Sequence, residues 1–325
     1  MHPAFSVIFL TTLIGVGQGL FLALYTGQLY SVIQVLPVQD SPGFYGYGSL
    51  LAILFLGAGL FASFFHLGRP ERAWRSAAKW KTSWLSREVI VLPAFMGITF
   101  IYAMVHISGW NPVLFSLGEV LIVDLSLFIG AIGVILAFAL YVSTAMIYAC
   151  IKFLQEWATP LTVLNYTLLG MASGFALCTA FAAWVGADLV NFYGGWAIIL
   201  TVTGFISRGA SLIRNARIKH RSDLSSAIGI RHNKIVQKAQ GSMGGSFNTR
   251  EYFHNAKPAM FKSIKWVFLV FAFLVPVILL SAGLSSSAFG LFMLAFVVQY
   301  AGLIAERWFF FAQANHPQNL YYQTI

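Results

Sequence analysis

Residues Phe65–Val89 read FHLGRPERAWRSAAKWKTSWLSREV and join two long apolar segments. The stretch holds one His, six Lys or Arg, two Glu and three Trp, although only 9% of the 325 residues are charged. Pro70 followed by an acidic residue is typical of a helix start. Arg72, Arg75 and Lys79 then share one helix face, with the tryptophans on the other side. The pattern predicts a short helix in the plane of a membrane surface.

The overall composition is that of a polytopic membrane protein, because 58% of the residues are apolar. A net charge of +10 would indicate nucleic-acid binding in a soluble protein. Here the basic residues lie between apolar segments, so we interpret them as topology signals and as contacts for anionic lipid or an acidic partner. The N-terminus has no basic region followed by a cleavage site, so no removable signal peptide is expected.

Eight segments contain the roughly 20 mostly apolar residues that a spanning helix needs. They are approximately 5–34, 46–65, 88–107, 124–151, 162–185, 193–213, 264–282 and 287–311. Residues 112–123, with Glu119, are expected to form an interfacial helix or to extend the fourth span. The predicted fold is all-α. Residues 1–155 are expected to form one four-helix bundle with the hairpin 65–89, and residues 156–325 a second. The second bundle includes a cytoplasmic loop over 214–262, which is either a solvated loop or a docking arm for a partner.

Small residues and prolines inside the spans predict how the helices pack. Gly15, Gly17 and Gly19 have no strand before them, which argues against a nucleotide loop and favours close helix packing. Pro93 and Pro276 lie inside spans and predict kinks.

The basic residues fall on one side of this topology. All 20 Lys and Arg residues lie on one side. This side comprises both termini, the loops after spans two, four and six, and the adjoining helix ends. The other side holds Asp40, Glu119, Asp124 and Asp188. The positive-inside rule therefore predicts a bacterial inner-membrane protein with both termini in the cytoplasm.

Titratable groups at the two ends of the hairpin predict a quinone site. His66 closes span two and Glu88 opens span three, and an imidazole titrates close to neutral pH. A quinone needs hydrogen-bond partners for its carbonyl oxygens and a route for two protons. Arg69 or Arg72 is expected to hold Glu88 ionised or to bond a carbonyl, and Gly68 would let the backbone approach the ring.

The same residues also have structural interpretations. A His at a span end is often simply interfacial, and Lys or Arg after a span often serve as topology signals. Glu88 with Arg87 could be an exposed pair worth almost nothing. Glu306 with Arg307 allows the same interpretation, although an acid inside a span indicates function.

Haem, iron–sulfur clusters and metal ions are not expected on this chain. A haem held between helices requires two His residues at similar depth, whereas His66 and His106 lie at opposite membrane boundaries. Cys150 and Cys178 form no C-x-x-C pair.

Three segments carry a family resemblance that extends over essentially the whole chain. They are HPAFSVIFLTTLIGVGQGL (2–20), the hairpin FHLGRPERAWRSAAKWKTSWLSREV, and ERWFFFAQANHPQNLYYQ (306–323). The chain resembles the membrane-anchor subunits of dimethyl sulfoxide reductase-type molybdoenzymes, within the polysulfide-reductase-like membrane subunits. Within that family it is most similar to the membrane subunits of cytoplasmic sulfite-oxidising enzymes.

The resemblance implies a three-subunit complex in which a molybdopterin subunit and an iron–sulfur subunit dock on this chain and exchange electrons with a quinone, ubiquinone or menaquinone. The family's quinone site maps onto His66, Gly68, Arg72 and Glu88. Arg69 replaces a small polar residue, so the edge of the pocket is expected to differ.

The charge distribution helps to choose among functions. The hairpin lies on the predicted cytoplasmic face, whereas the reductase anchors of this family place it on the periplasmic face. This favours electron transfer from sulfite oxidation to quinone over the alternative, an anchor of an S-oxide or polysulfide reductase that oxidises quinol. A secondary transporter is the second alternative, but no internal repeat or mid-membrane charge supports it.

Overall fold

Eight membrane-spanning helices form the fold, as predicted. The computed structural model describes residues 3–117, 121–219, 224–235 and 258–315. The α-helices there are α1 (Phe5–Val32), α2 (Tyr47–Ser63), α3 (Trp84–Ser108), α4 (Leu125–Ala149), α5 (Pro160–Val185), α6 (Val190–Ala216), α7 (Leu224–Ile228), α8 (Pro258–Leu269), α9 (Val275–Ser286) and α10 (Phe289–Gln313). In this part of the chain, eight helical segments are long and apolar enough to cross a membrane. The second is Ser41–His66, which includes a π-helical start, and the seventh is Ala259–Ser286.

Helices α1 and α5 form the centre of the bundle. In their most apolar stretches 78% and 72% of the residues are buried, against 28–44% in the other six spans. The two helices cross at backbone contact, because a Cβ atom on Gly174 would overlap the carbonyl carbon of Gly19. The predicted role of the span-one glycines in close packing is therefore confirmed at Gly19.

Helices α1 and α4 pack side by side in successive layers. Starting near the hairpin, at what we term the basic end, the paired positions are Gly15 with Tyr141, Gln18 with Ala137, Phe21 with Gly133, and Tyr25 with Leu127. In three of these layers a side chain donates to a facing carbonyl, at 2.8–3.0 Å. The remaining one, the Phe21 layer, is apolar and consists of Phe21, Phe95 and Gly133. Phe21 and Phe95 are fully buried with ring centroids 5.3 Å apart.

A π-helical segment, Val270–Leu274, joins α8 to α9 just before Pro276. Proline has no N–H and its ring crowds the carbonyl four residues earlier, which here is Ala272. The Ala272 carbonyl instead accepts from the Gln299 side chain of α10 at 3.4 Å. The backbone irregularity predicted at Pro276 is thus accommodated by a neighbouring helix.

The segment before α4 differs from its prediction. The sequence predicts a helix over residues 112–123, but they form an antiparallel hairpin of β1 (Val113–Leu117) and β2 (Leu121–Asp124). The segment is rich in β-branched and aromatic side chains, which favour strands, and such a short apolar run does not distinguish helix from strand by periodicity. Glu119 lies outside the described residues.

Two further predictions concern domains and the long loop. The division into bundles at residues 155 and 156 stays a prediction, as does the cytoplasmic location of the termini. The core is continuous across that division, since α1 and α5 contact each other directly. Within the predicted loop 214–262, the structure describes residues 214–219, 224–235, which include the short α7, and 258–262; the rest of the loop lies outside the described residues.

Candidate functional site

The hairpin 65–89 forms the predicted surface helix, although with tighter 3-10 geometry. A 3-10 turn, Phe64–His66, ends the second span, and a 3-10 helix follows over Pro70–Lys79. Ser83 caps α3 by accepting a hydrogen bond from the Ser86 backbone N–H at 3.3 Å. The Ser86 hydroxyl donates to the Ser76 carbonyl and ties the surface helix to α3.

Four of the five predicted site residues lie on the surface of this hairpin. They are His66, Gly68, Arg69 and Arg72. Arg72 lies 3.8 Å from Glu71, and both side chains are solvent-exposed, so this ion pair contributes little to stability. Within the hairpin, which the structure describes completely, neither Arg69 nor Arg72 pairs with Glu88. Their predicted contact with a quinone stays a prediction.

Glu88, the fifth predicted site residue, is buried in the bundle rather than exposed. Its side chain is 7% exposed and accepts a hydrogen bond from the Thr144 hydroxyl of α4 at 2.6 Å. Arg87 turns away, donating to the Trp80 and Lys81 carbonyls at 2.9 and 2.8 Å. The interpretation of Glu88 and Arg87 as an exposed pair is therefore wrong, and Glu88 needs the Thr144 hydroxyl as compensation for its burial.

A second buried acid lies at the same end of the bundle, and the exposed-pair interpretation is wrong there too. Glu306 of α10 lies 2.7 Å from Arg208 of α6, and each side chain is 1% exposed. Arg307 lies 3.9 Å from Glu306, and its guanidinium stacks 3.6 Å above the Tyr166 ring. The expectation that an acid inside a span is functional applies to this cluster. The sequence signal that points to it is the position of these charges within α6 and α10.

A cavity of about 20 Å³ is lined both by Thr144, the partner of Glu88, and by Arg307 of this cluster. Thr144 lines it on one side, and Tyr166 and Arg307 line it on another. Gln18 and Tyr141 add polar groups from the layered contact of α1 and α4. The basic end therefore contains a small polar interior whose lining residues Thr144 and Arg307 contact the carboxylates of Glu88 and Glu306, beneath a surface hairpin that carries an imidazole and several guanidinium groups.

The opposite end of the bundle has a different character. His106 is buried there, with its Nδ1 2.7 Å from the Ser41 hydroxyl. A groove of about 1190 Å³ at this end has mostly apolar walls, with Asp40 and Asp188 among its lining residues. Its lining, among the residues that the structure describes, includes no Lys, Arg or His. The groove therefore differs from the basic end, where the surface hairpin carries imidazole and guanidinium groups.

Comparisons with known proteins cover the chain from end to end. The family model described as "DMSO reductase anchor subunit (DmsC)" matches residues 1–322. The C subunit of the sulfite dehydrogenase of Allochromatium vinosum is 58% identical over 325 residues, which is 100% of both chains. The similarity thus includes the hairpin, the buried cluster and every span.

Proposed function

The chain belongs to the DMSO reductase anchor subunit (DmsC) family, and from this we propose that it is the quinone-binding membrane anchor of a three-subunit sulfite-oxidising molybdoenzyme. The full-length similarity to a sulfite dehydrogenase subunit supports the substrate of the complex. On this proposal sulfite chemistry takes place on a molybdopterin partner, and its electrons reach this chain through a partner's iron–sulfur clusters. Membership in an anchor family also argues against the second alternative, a secondary transporter.

The observation that carries the proposal is the arrangement of proton-exchanging groups at the basic end. Glu88 is held by Thr144 just inside the bundle, and His66 lies at the end of the preceding span. A bound quinone accepts two electrons and two protons. His66 and Arg72 can donate hydrogen bonds at the exposed side of the site, and Glu88 can hold a proton at its buried side. These residue types fit such a group.

The exposed hairpin also fits a docking surface for the iron–sulfur partner. Its 3-10 helix exposes Arg72 and Arg75, and Trp74 and Trp80 remain 69% and 54% exposed. Exposed Trp and Arg side chains are the residues that most often anchor protein interfaces. We propose that an acidic surface of the partner covers them, which would place the last cluster next to the quinone site.

A second candidate is an anchor of a reductase that takes electrons from quinol. The description of the matching family favours it. The two candidates differ in the side of the membrane on which the catalytic subunit works. A twin-arginine leader on that subunit would indicate a periplasmic complex and would contradict the proposal.

The proposal predicts that His66→Ala lowers quinone reduction in the assembled complex by about 10²-fold, in the range expected for loss of a positioned proton-exchanging group. The measurement is sulfite-dependent reduction of a soluble quinone analogue, together with sulfite oxidation by an artificial acceptor that bypasses this chain. His232→Ala, which removes an exposed imidazole elsewhere, is the matched control. Unchanged quinone reduction by an intact His66→Ala complex would refute the proposed role.

Orientation is testable with the two native cysteines. Cys150 is exposed at the C-terminal end of α4, at the basic end, and Cys178 is buried within α5. A cytoplasmic basic end predicts that a membrane-impermeant maleimide labels Cys150 in inverted vesicles but not in intact spheroplasts. Cys178 should label only after denaturation and so reports whether the fold is intact. Labelling of Cys150 from outside intact spheroplasts would reverse the assigned orientation.

A further inference from the structure

The buried cluster of α6 and α10 carries an excess positive charge. It contains two guanidinium groups, on Arg208 and Arg307, and one carboxylate, on Glu306. Arg208 takes the close contact with Glu306 at 2.7 Å, which leaves Arg307 at 3.9 Å. Uncompensated charge inside a membrane protein is costly, so a further anionic group is expected nearby.

The internal cavity connects that excess charge to Glu88. Arg307 and Thr144 line the cavity together, and Thr144 donates its hydroxyl hydrogen to Glu88. Tyr148, one helical turn beyond Thr144 on α4, stacks on the Tyr166 ring with centroids 5.8 Å apart, and the Arg307 guanidinium lies 3.6 Å from the same Tyr166 ring. These contacts place Thr144, which holds Glu88, and Arg307 around one polar interior. With Glu88 included, two cations face two carboxylates and the charges balance.

The cavity is suited to water. Its volume of about 20 Å³ exceeds the roughly 10–15 Å³ that one water molecule requires. In the described structure neither the Tyr166 hydroxyl nor the Nε of Arg307 makes a hydrogen bond of good geometry, and both residues line the cavity and are at least nine-tenths buried. The Thr144 oxygen can accept a further hydrogen bond. A water molecule therefore has the two to four partners that ordered internal water needs.

We propose that Arg307 is the counter-charge of Glu88 and acts on it across an internal water site, so that Glu88 can alternate between its protonated and ionised forms. This rests on the proposed function, because the alternation serves proton transfer to a quinone. Arg307 is a positioning residue in this scheme and does not touch the quinone. The sequence suggests that Arg69 or Arg72 holds Glu88 ionised. In this proposal the buried Arg307 does so instead.

Other ionisable groups of the described residues also face this interior. They are Tyr141 and Tyr148 of α4, Tyr166 of α5, Arg208 of α6, and Glu306 of α10. Among them Glu306 provides the sharpest second test. Removing its charge increases the excess positive charge, whereas removing Arg307 abolishes it, so the two substitutions should act on Glu88 in opposite directions.

The experiment is infrared difference spectroscopy of the purified complex over a pH series, without turnover, with Glu88→Gln used to assign the Glu88 carboxyl band. Arg307→Gln should raise the ratio of protonated to ionised Glu88 about tenfold at a given pH, which corresponds to the effect of one nearby charge. Glu306→Gln should lower that ratio several-fold. Arg307→Lys keeps the charge and should restore a ratio near the original one.

Arg217→Gln, which removes an exposed arginine at the same end of the bundle, is the matched control and should leave the ratio unchanged. If Arg307→Gln does not assemble, Glu306→Gln still decides the matter. A ratio within about twofold of the original in either assembled variant would overturn the inference. Because the readout is the ionisation of Glu88, it is independent of whether His66→Ala lowers quinone reduction.

Discussion

Glu88→Gln is expected to lower quinone reduction by the assembled complex by at least about 100-fold, the usual contribution of a positioned proton donor. The substitution keeps the size of the side chain and the acceptor oxygen for the Thr144 hydroxyl. It removes the ability to take up and release a proton, together with the negative charge of the ionised form. Because the shape and the hydrogen bond to Thr144 are kept, the fold and the docking of partners should persist. The effect should therefore appear in quinone reduction and not in sulfite oxidation with an artificial acceptor.

The matched control for this result is Glu71→Gln, an equal substitution on the surface of the same hairpin. Glu71 is exposed, and its contact with Arg72 at 3.8 Å contributes little. Quinone reduction in this variant should stay within about twofold of the original, since an exposed pair is worth roughly 0–1 kcal/mol. Equal losses in both variants would show that the hairpin's overall charge, and not the buried carboxyl, is what matters.

Of the substitutions proposed for this chain, Gly174→Ala is expected to lower the free energy of unfolding the most. The added methyl group would overlap the carbonyl carbon of Gly19 and the backbone nitrogen of Leu20. These are backbone atoms of the central helix α1, which cannot move aside as a flexible side chain would. Overpacking of this kind costs about 1–3 kcal/mol and occasionally more, and we expect the upper end because α1 and α5 form the core.

The measurement is the thermal unfolding temperature of the detergent-purified chain, with its yield in membranes. Gly97→Ala in α3 is the control, because a Cβ atom at Gly97 meets nothing within 4 Å and the residue is also helical. It should change the free energy of unfolding by no more than about 0.5 kcal/mol, or stabilise α3 slightly, since Ala favours a helix over Gly. Equal stability of the two variants would contradict the close crossing.

The architecture was predictable from sequence because hydropathy and charge report directly on the membrane. A spanning helix must be apolar over about 20 residues, and the eight segments found that way all appear as helices. The strand hairpin before α4 was not predictable in the same way. Residues 113–124 hold two short, mostly apolar runs, VLFSL and VLIV, and runs of that length are shared by strands and buried helices.

The site was only partly predictable, because burial depends on which helices meet. Glu88 follows Arg87 directly, and adjacent opposite charges resemble a surface pair until α4 brings Thr144 to the carboxylate. Likewise, Arg208 and Glu306 are 98 residues apart in sequence. Nothing local shows that α6 and α10 place them 2.7 Å apart.

The Phe21 layer bears on whether protons can cross the membrane through this chain. It puts closely packed rings and a glycine between the Gln18 level and the Tyr25 level of the interior. Carrying one elementary charge across the whole membrane against 100 mV takes about 2.3 kcal/mol, and a proton crossing between α1 and α4 would have to pass this apolar layer. If the protons for the quinone are taken up on the membrane face where sulfite is oxidised, no charge crosses the bilayer and no work is done against the membrane potential. The turnover rate in sealed vesicles should then be the same whether the bilayer is polarised or short-circuited by an ionophore.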